Sequence, residues 1–92
     1  HATIINTRFT GATITNTRLN GATITNTRLN GATITNTQFD IATIKAIRFS
    51  GIRDQGGITF KRAKFQNKDN DFGPIKLGSN GLPEGAEWDI QP

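Results

Sequence analysis

The chain of 92 residues contains no cysteine, no methionine and no tyrosine, and only one tryptophan and one histidine. Each absence removes a class of chemistry. Without cysteine there is no disulfide framework, no thiolate metal site and no thiol nucleophile. The compartment stays open, because exported proteins need not carry disulfides. The lone histidine is His1, and no serine stands in a nucleophile-elbow context, so a nucleophilic triad within this chain is excluded. No apolar run is long enough to span a membrane or to form a signal peptide, and membrane insertion is not expected. With no methionine, His1 does not read as a translation start; the chain is expected to be processed, truncated or preceded by further residues.

What the chain has instead is a period. Residues 11–20 and 21–30 are identical copies of Gly-Ala-Thr-Ile-Thr-Asn-Thr-Arg-Leu-Asn, and variants of that decad fill the first fifty residues. Such self-similarity outranks other local signals, because each unit can bury its apolar side only against its neighbours. The decad divides again. Ala12-Thr13-Ile14-Thr15-Asn16 and Thr17-Arg18-Leu19-Asn20-Gly21 share one plan: small, polar, large apolar, polar, turn. The large positions form a core ladder of Ile4, Phe9, Ile14, Leu19, Ile24, Leu29, Ile34, Phe39, Ile44 and Phe49. Two residues before each stands Ala2, Thr7, Ala12, Thr17, Ala22, Thr27, Ala32, Thr37, Ala42 or Ile47.

An i, i+2 pairing of inward residues belongs to a strand, since a helix wants apolar positions three and four apart. Threonine suits the strand positions, while asparagine and glycine suit the corners, where φ is often positive. Corners fall at Asn6, Gly11, Asn16, Gly21, Asn26, Gly31 and Asn36, until Ile41 and Ala46 depart from the rule. The array is expected to degenerate there.

These units resemble the pentapeptide-repeat proteins, whose pattern is Ala-Asp/Asn-Leu followed by two variable residues, with Thr or Arg here at the position of the Asp/Asn. The resemblance covers residues 1–50 and resumes weakly at Ile58-Thr59-Phe60-Lys61-Arg62 and Ala63-Lys64-Phe65-Gln66-Asn67. It implies an all-β, right-handed quadrilateral β-helix with four units per coil and an irregular C-terminal cap. It implies little about function, because the family is functionally mixed. The family's best-known role, mimicry of duplex DNA towards gyrase, needs an acidic rod. This chain carries a net charge of +4, with Arg8, Arg18, Arg28, Lys45 and Arg48 against Asp40 in the repeats, which disfavours that role.

Three segments follow. Residues 1–50 are the regular array. Residues 51–68 hold a loop insertion and degenerate repeats, the loop being Gly51-Ile52-Arg53-Asp54-Gln55-Gly56-Gly57. Residues 69–92, punctuated by Gly73-Pro74, Gly78, Gly81, Pro83 and Gly85, are expected to cap the last coil. The repeat starts at once at Ala2, so this end is expected to belong to something longer or to stack on a partner.

With about twenty residues per coil, as the resemblance implies, residues twenty apart stack at ~4.8 Å. Arg8, Arg28 and Arg48 then share one column, and Arg18 lies with Gln38 on the opposite one. Such a strip reads either as a solubilising edge or as a site for phosphate, acidic glycan or nucleic acid. Thr13 and Thr15 fall over Thr33 and Thr35, while Thr3, Thr23, Thr25 and Thr43 share the opposite face with Ile5 and Lys45. Flat Thr-x-Thr arrays resemble the ice-binding faces of solenoid antifreeze proteins. Further on, Arg53, Lys61, Arg62, Lys64 and Lys68 accompany Phe60 and Phe65, a combination found in nucleic-acid binders, although these rings also stand in the core register. Asp69, Asp71, Glu84, Glu87 and Asp89 lie without fixed spacing, and Asp69-Asn70-Asp71 lacks the glycine and distal glutamate of a calcium loop. No cofactor, metal or catalytic residue is expected.

The reading that results is a non-catalytic solenoid acting as a rigid structural or protein-interaction module, joined to a protein partner or to itself by end stacking. Two alternatives stand beside it: a trimeric β-helical segment of a fibre or spike, and an ice-binding protein.

Overall fold

The computed structural model describes residues 2–66 and 70–89. His1, Asn67, Lys68, Asp69 and Ile90, to which parts of the sequence reading refer, lie outside the described residues. Eight short strands run β1 Thr3–Ile5, β2 Thr13–Thr15, β3 Thr23–Arg28, β4 Thr33–Thr35, β5 Thr43–Arg48, β6 Arg53–Asp54, β7 Lys64–Phe65 and β8 Glu87–Trp88, with no helix among the described residues. They form a five-stranded sheet in the order β1-β3-β5-β7-β8 and a three-stranded sheet in the order β2-β4-β6. Every strand pair is parallel.

The register explains the architecture. Ile4 stands opposite Ile24, Ile24 opposite Ile44, and Ile14 opposite Ile34, so each coil takes twenty residues. Isolated parallel bridges Arg8↔Arg28 and Arg18↔Gln38 supply the two remaining sides. The result is a parallel β-solenoid of about four coils, in which each decad makes half a turn.

The small and large inward positions fill the interior. Ala22, Ala32 and Ala42 are buried beside Ile24, Ile34 and Ile44. Thr27 and Thr37 take the small position on alternate sides and are also buried, where their hydroxyls donate to the carbonyls of Thr25 and Thr35 at 3.2 and 3.1 Å. That local bond removes the desolvation penalty of a buried hydroxyl, so threonine serves as a satisfied small residue in an apolar column. Large side chains of the first coil, Ile4, Phe9, Ile14 and Leu19, are only half-buried. From the second coil the ladder residues Ile24, Leu29, Ile34, Phe39, Ile44 and Phe49 are buried, while Ile58, Phe72 and Ile75 further on are partly buried. In the later coils Phe39 and Phe60 stack with centroids 5.0 Å apart, and Phe49 meets both edge-on at 5.7 and 5.8 Å.

The expected degeneration at Ile41 and Ala46 does not occur in the backbone. Both residues keep the left-handed corner, with φ of 63° and 61°, close to the 47–52° of Asn6, Asn16, Asn26 and Asn36. Ladder bonds on either side over-determine the corner; the Ile41 N–H, for instance, donates to the Lys61 carbonyl at 2.8 Å. A β-branched residue in this region is strained, and the Ile41 side chain is 59% exposed, so it recovers little by packing. Ile41→Asn is therefore expected to stabilise the protein by about 1 kcal/mol, a rise in Tm of roughly 4–8 °C for a domain of this size. A thermal melt checks it, and a lower Tm would mean that the isoleucine packs more than its exposure indicates.

The loop insertion amounts to one residue. Thr33 and Ile34 pair with Arg53 and Asp54 twenty residues on, whereas Gln38 pairs with Thr59 and Ile44 with Phe65, twenty-one on. The extra residue is absorbed around Gly56 and Gly57, both at positive φ, and a Cβ on Gly57 would lie 2.3 Å from the Asn36 amide oxygen.

Residues 70–89 cover the core and also continue its ladder. Asp71 bridges to Arg48, and β8 pairs with β7 through Lys64↔Glu87 and Phe65↔Trp88, now twenty-three residues apart. Leu77 and Pro83 form an antiparallel bridge in between, and Leu82 and Ala86 are buried against the last coil. Gly73 packs so closely on the Phe49 carbonyl that a Cβ would fall 2.2 Å from its oxygen. Lys64 and Glu87 form an ion pair across β7 and β8, and the hydrogen bond from Lys64 holds the Glu87 carboxyl below its ordinary pKa.

Candidate functional site

The register decides which outward side chains meet. On one edge Arg8, Arg28 and Arg48 follow one another through the bridge Arg8↔Arg28 and the β3–β5 pair Arg28↔Arg48. Between this column and the preceding corner lies a groove of about 310 Å³ lined by Asn6, Arg8, Asn26, Arg28, Ala46 and Arg48. Arg8 and Arg28 are exposed and have no acidic partner among the described residues, whereas Asp71, the next residue along the column, ends the positive run. Three arginines whose backbones follow one another at the ~4.8 Å strand spacing concentrate positive potential along one edge.

The opposite edge differs although the repeat is the same. Arg18 is followed by Gln38, Asn36 donates to the side chain of Asn16 at 3.1 Å, and Asn20 donates to Gln38 at 3.5 Å. No comparable bond joins Asn6 to Asn26 among the described residues, so their amides are left to face the groove. Sequence reasoning placed the arginines in a column but overlooked Asn6, Asn26 and Ala46. The signal was available in the corner positions, where asparagine stands at residues 6 and 26 and alanine at residue 46.

The threonines form a second surface. Thr13 pairs with Thr33 and Thr15 with Thr35, so the Thr-x-Thr array is two coils deep before Arg53 of β6 follows Thr33, with Asp54 in register with Ile34. On the other sheet the Thr3, Thr23 and Thr43 row is continuous, but its neighbour reads Ile5, Thr25, Lys45. Phe60 and Phe65 are buried, so Arg53, Lys61, Arg62 and Lys64 have no accessible ring beside them from these two residues. Of the acidic stretch, the Asn70 amide oxygen accepts from the Ile47 N–H and Asp71 accepts from the Gly73 N–H. Among the described residues there is no group of three metal-ligating residues and no helix long and apolar enough to cross a membrane.

At the first coil, Ile4, Phe9, Ile14 and Leu19 line an apolar cavity of about 390 Å³. A third, mixed groove of about 410 Å³ runs between Phe60, Lys61 and the segment holding Ile75, Pro83 and Glu84.

Residues 1–40 match the family model for pentapeptide repeats, in eight copies. A search of curated proteins gave no match. Among solved structures, a similar chain is QnrB1, trypsin-treated and described as a plasmid-mediated fluoroquinolone resistance protein. It is 10% identical over 96% of this chain and 91% of that one, with a TM-score of 0.26. The twenty-residue parallel register, the inward small–large pairs and the family match agree: residues 1–40 carry pentapeptide repeats, built here into a parallel β-solenoid.

Proposed function

We propose that this chain is a non-catalytic solenoid that works as a rigid structural or interaction module, presenting fixed columns of side chains to a partner. The twenty-residue register carries this reading, since it stacks like on like and holds each outward residue at a set spacing without any moving element. The missing thiol and the single histidine agree with a role other than nucleophilic catalysis. A partner protein, or a second copy stacked end to end, fits the half-buried apolar residues of the first coil. In this reading residues 1–50 are the interaction array, 51–68 the insertion with degenerate repeats, and 69–92 the cap.

Mass by light scattering tests the proposal. A monomer or an end-to-end dimer is expected. A detergent-resistant trimer would overturn it in favour of a three-chain fibre segment, because the small–large interior would then have to be shared between chains.

A further inference from the structure

We infer that the arginine groove binds a linear acidic polysaccharide laid along the solenoid axis. The inference rests on the reading of the outward columns as interaction faces. Arg8 and Arg28 offer two guanidinium forks with no acidic partner among the described residues, carried on backbones bridged at the ~4.8 Å strand spacing. A guanidinium pairs with carboxylate or sulfate through two parallel hydrogen bonds. Repeating the fork along a straight column suits a ligand whose acids also repeat.

The rest of the groove selects for hydroxyls. Asn6 and Asn26 each carry an acceptor and a donor. A sugar hydroxyl uses both, whereas a phosphodiester has only acceptors to offer. Ala46 closes the third corner of the groove and is itself buried, so the open stretch lies along Asn6, Arg8, Asn26 and Arg28. Nucleic acid fits less well, because single strands are held by aromatic platforms. Phe39, Phe49, Phe60 and Phe65 are all buried, and no aromatic side chain lines the arginine groove. Asp71 repels further acids and sets the end of the site beyond Arg48.

The test is fluorescence polarisation at low salt with labelled oligogalacturonate as the carboxylated probe and a labelled heparin oligosaccharide as the sulfated one, with neutral dextran and a duplex oligonucleotide as controls. Binding of either acidic oligosaccharide is expected, and the stronger of the two identifies the acid. The double variant Arg8→Gln/Arg28→Gln should weaken it by about tenfold or more, while Arg18→Gln on the opposite edge should change it less than about twofold. Asn6→Ala/Asn26→Ala keeps every charge, and Ala46 already occupies the equivalent left-handed corner, so its expected weakening of roughly fivefold separates a shaped groove from a diffuse positive field. Circular dichroism confirms that the variants are folded. Equal losses in Arg18→Gln and Arg8→Gln/Arg28→Gln, or undiminished binding in Asn6→Ala/Asn26→Ala, would overturn the site. Tighter binding of the duplex than of either oligosaccharide would overturn the ligand class. A scattering result of monomer together with no glycan binding would sink this inference alone and leave the rigid-module reading standing.

Discussion

A chain carrying Ile24→Asp is expected to lose its β-sheet circular-dichroism signal completely at room temperature, while Thr25→Asp keeps it. Ile24 is 1% exposed and stands in register between Ile4 and Ile44, in a core one side chain thick. An aspartate there would meet apolar side chains above and below and no donor within its column. The effective penalty of burying an unpaired charge is several kcal/mol. Against a total stability of roughly 0.05–0.15 kcal/mol per residue, that is most or all of what a domain this small possesses. One residue on, the side chain points outward, and Thr25 pairs across the ladder with Lys45. An aspartate at that position gains an opposite charge directly opposite it, an arrangement that stabilises sheets by a few tenths of a kcal/mol. Similar loss of signal in the two variants would mean that inside and outside have been exchanged.

The second large effect is expected at Phe39→Ala, which should lower the free energy of unfolding by about 3–5 kcal/mol. Phe39 is buried, stacks on Phe60 and meets the edge of Phe49, so its removal leaves both partners facing a void. Phe9→Ala provides the contrast. Phe9 belongs to the same ladder of large residues but lies in the half-buried first coil, beside the apolar cavity, and already has solvent nearby. Its loss should be smaller, about 1–2 kcal/mol, in line with partial burial. Urea titration of the two variants measures the difference. Equal losses would show that stability is spread evenly along the axis, rather than concentrated where the phenylalanines gather.

Much of this could be read from residue order alone. The five-residue unit, the inward small–large pairs and the stacking of Arg8 on Arg28 all follow from periodicity once a twenty-residue coil is assumed, and the ladder has that register. The corners at Ile41 and Ala46 were not legible, because residue type states a preference for φ, whereas neighbouring ladder bonds impose it. The continuation through residues 70–89 escaped for a related reason. Backbone pairing such as Arg48↔Asp71 and Phe65↔Trp88 carries no side-chain signature when the spacing shifts to twenty-three. The groove lies between these extremes. Its arginines are visible as a column, but its shape depends on which asparagines bond each other and on one alanine, and periodic averaging hides such departures.

The half-turn length of each decad has a consequence for how such a chain changes. Residues 11–20 and 21–30 are identical, so slippage between their coding copies would remove or add ten residues without altering the pattern of inward positions. Loss of one copy would leave every large residue in its ladder and the protein able to close its coils. Everything downstream would nevertheless turn to the opposite side of the rod. Gln38 would come to stand above Arg8, and Arg48 above Arg18, and the three-arginine column would be broken up in a single step. A repeat of this kind can therefore lose or gain a surface by a change in length alone, while its interior records nothing.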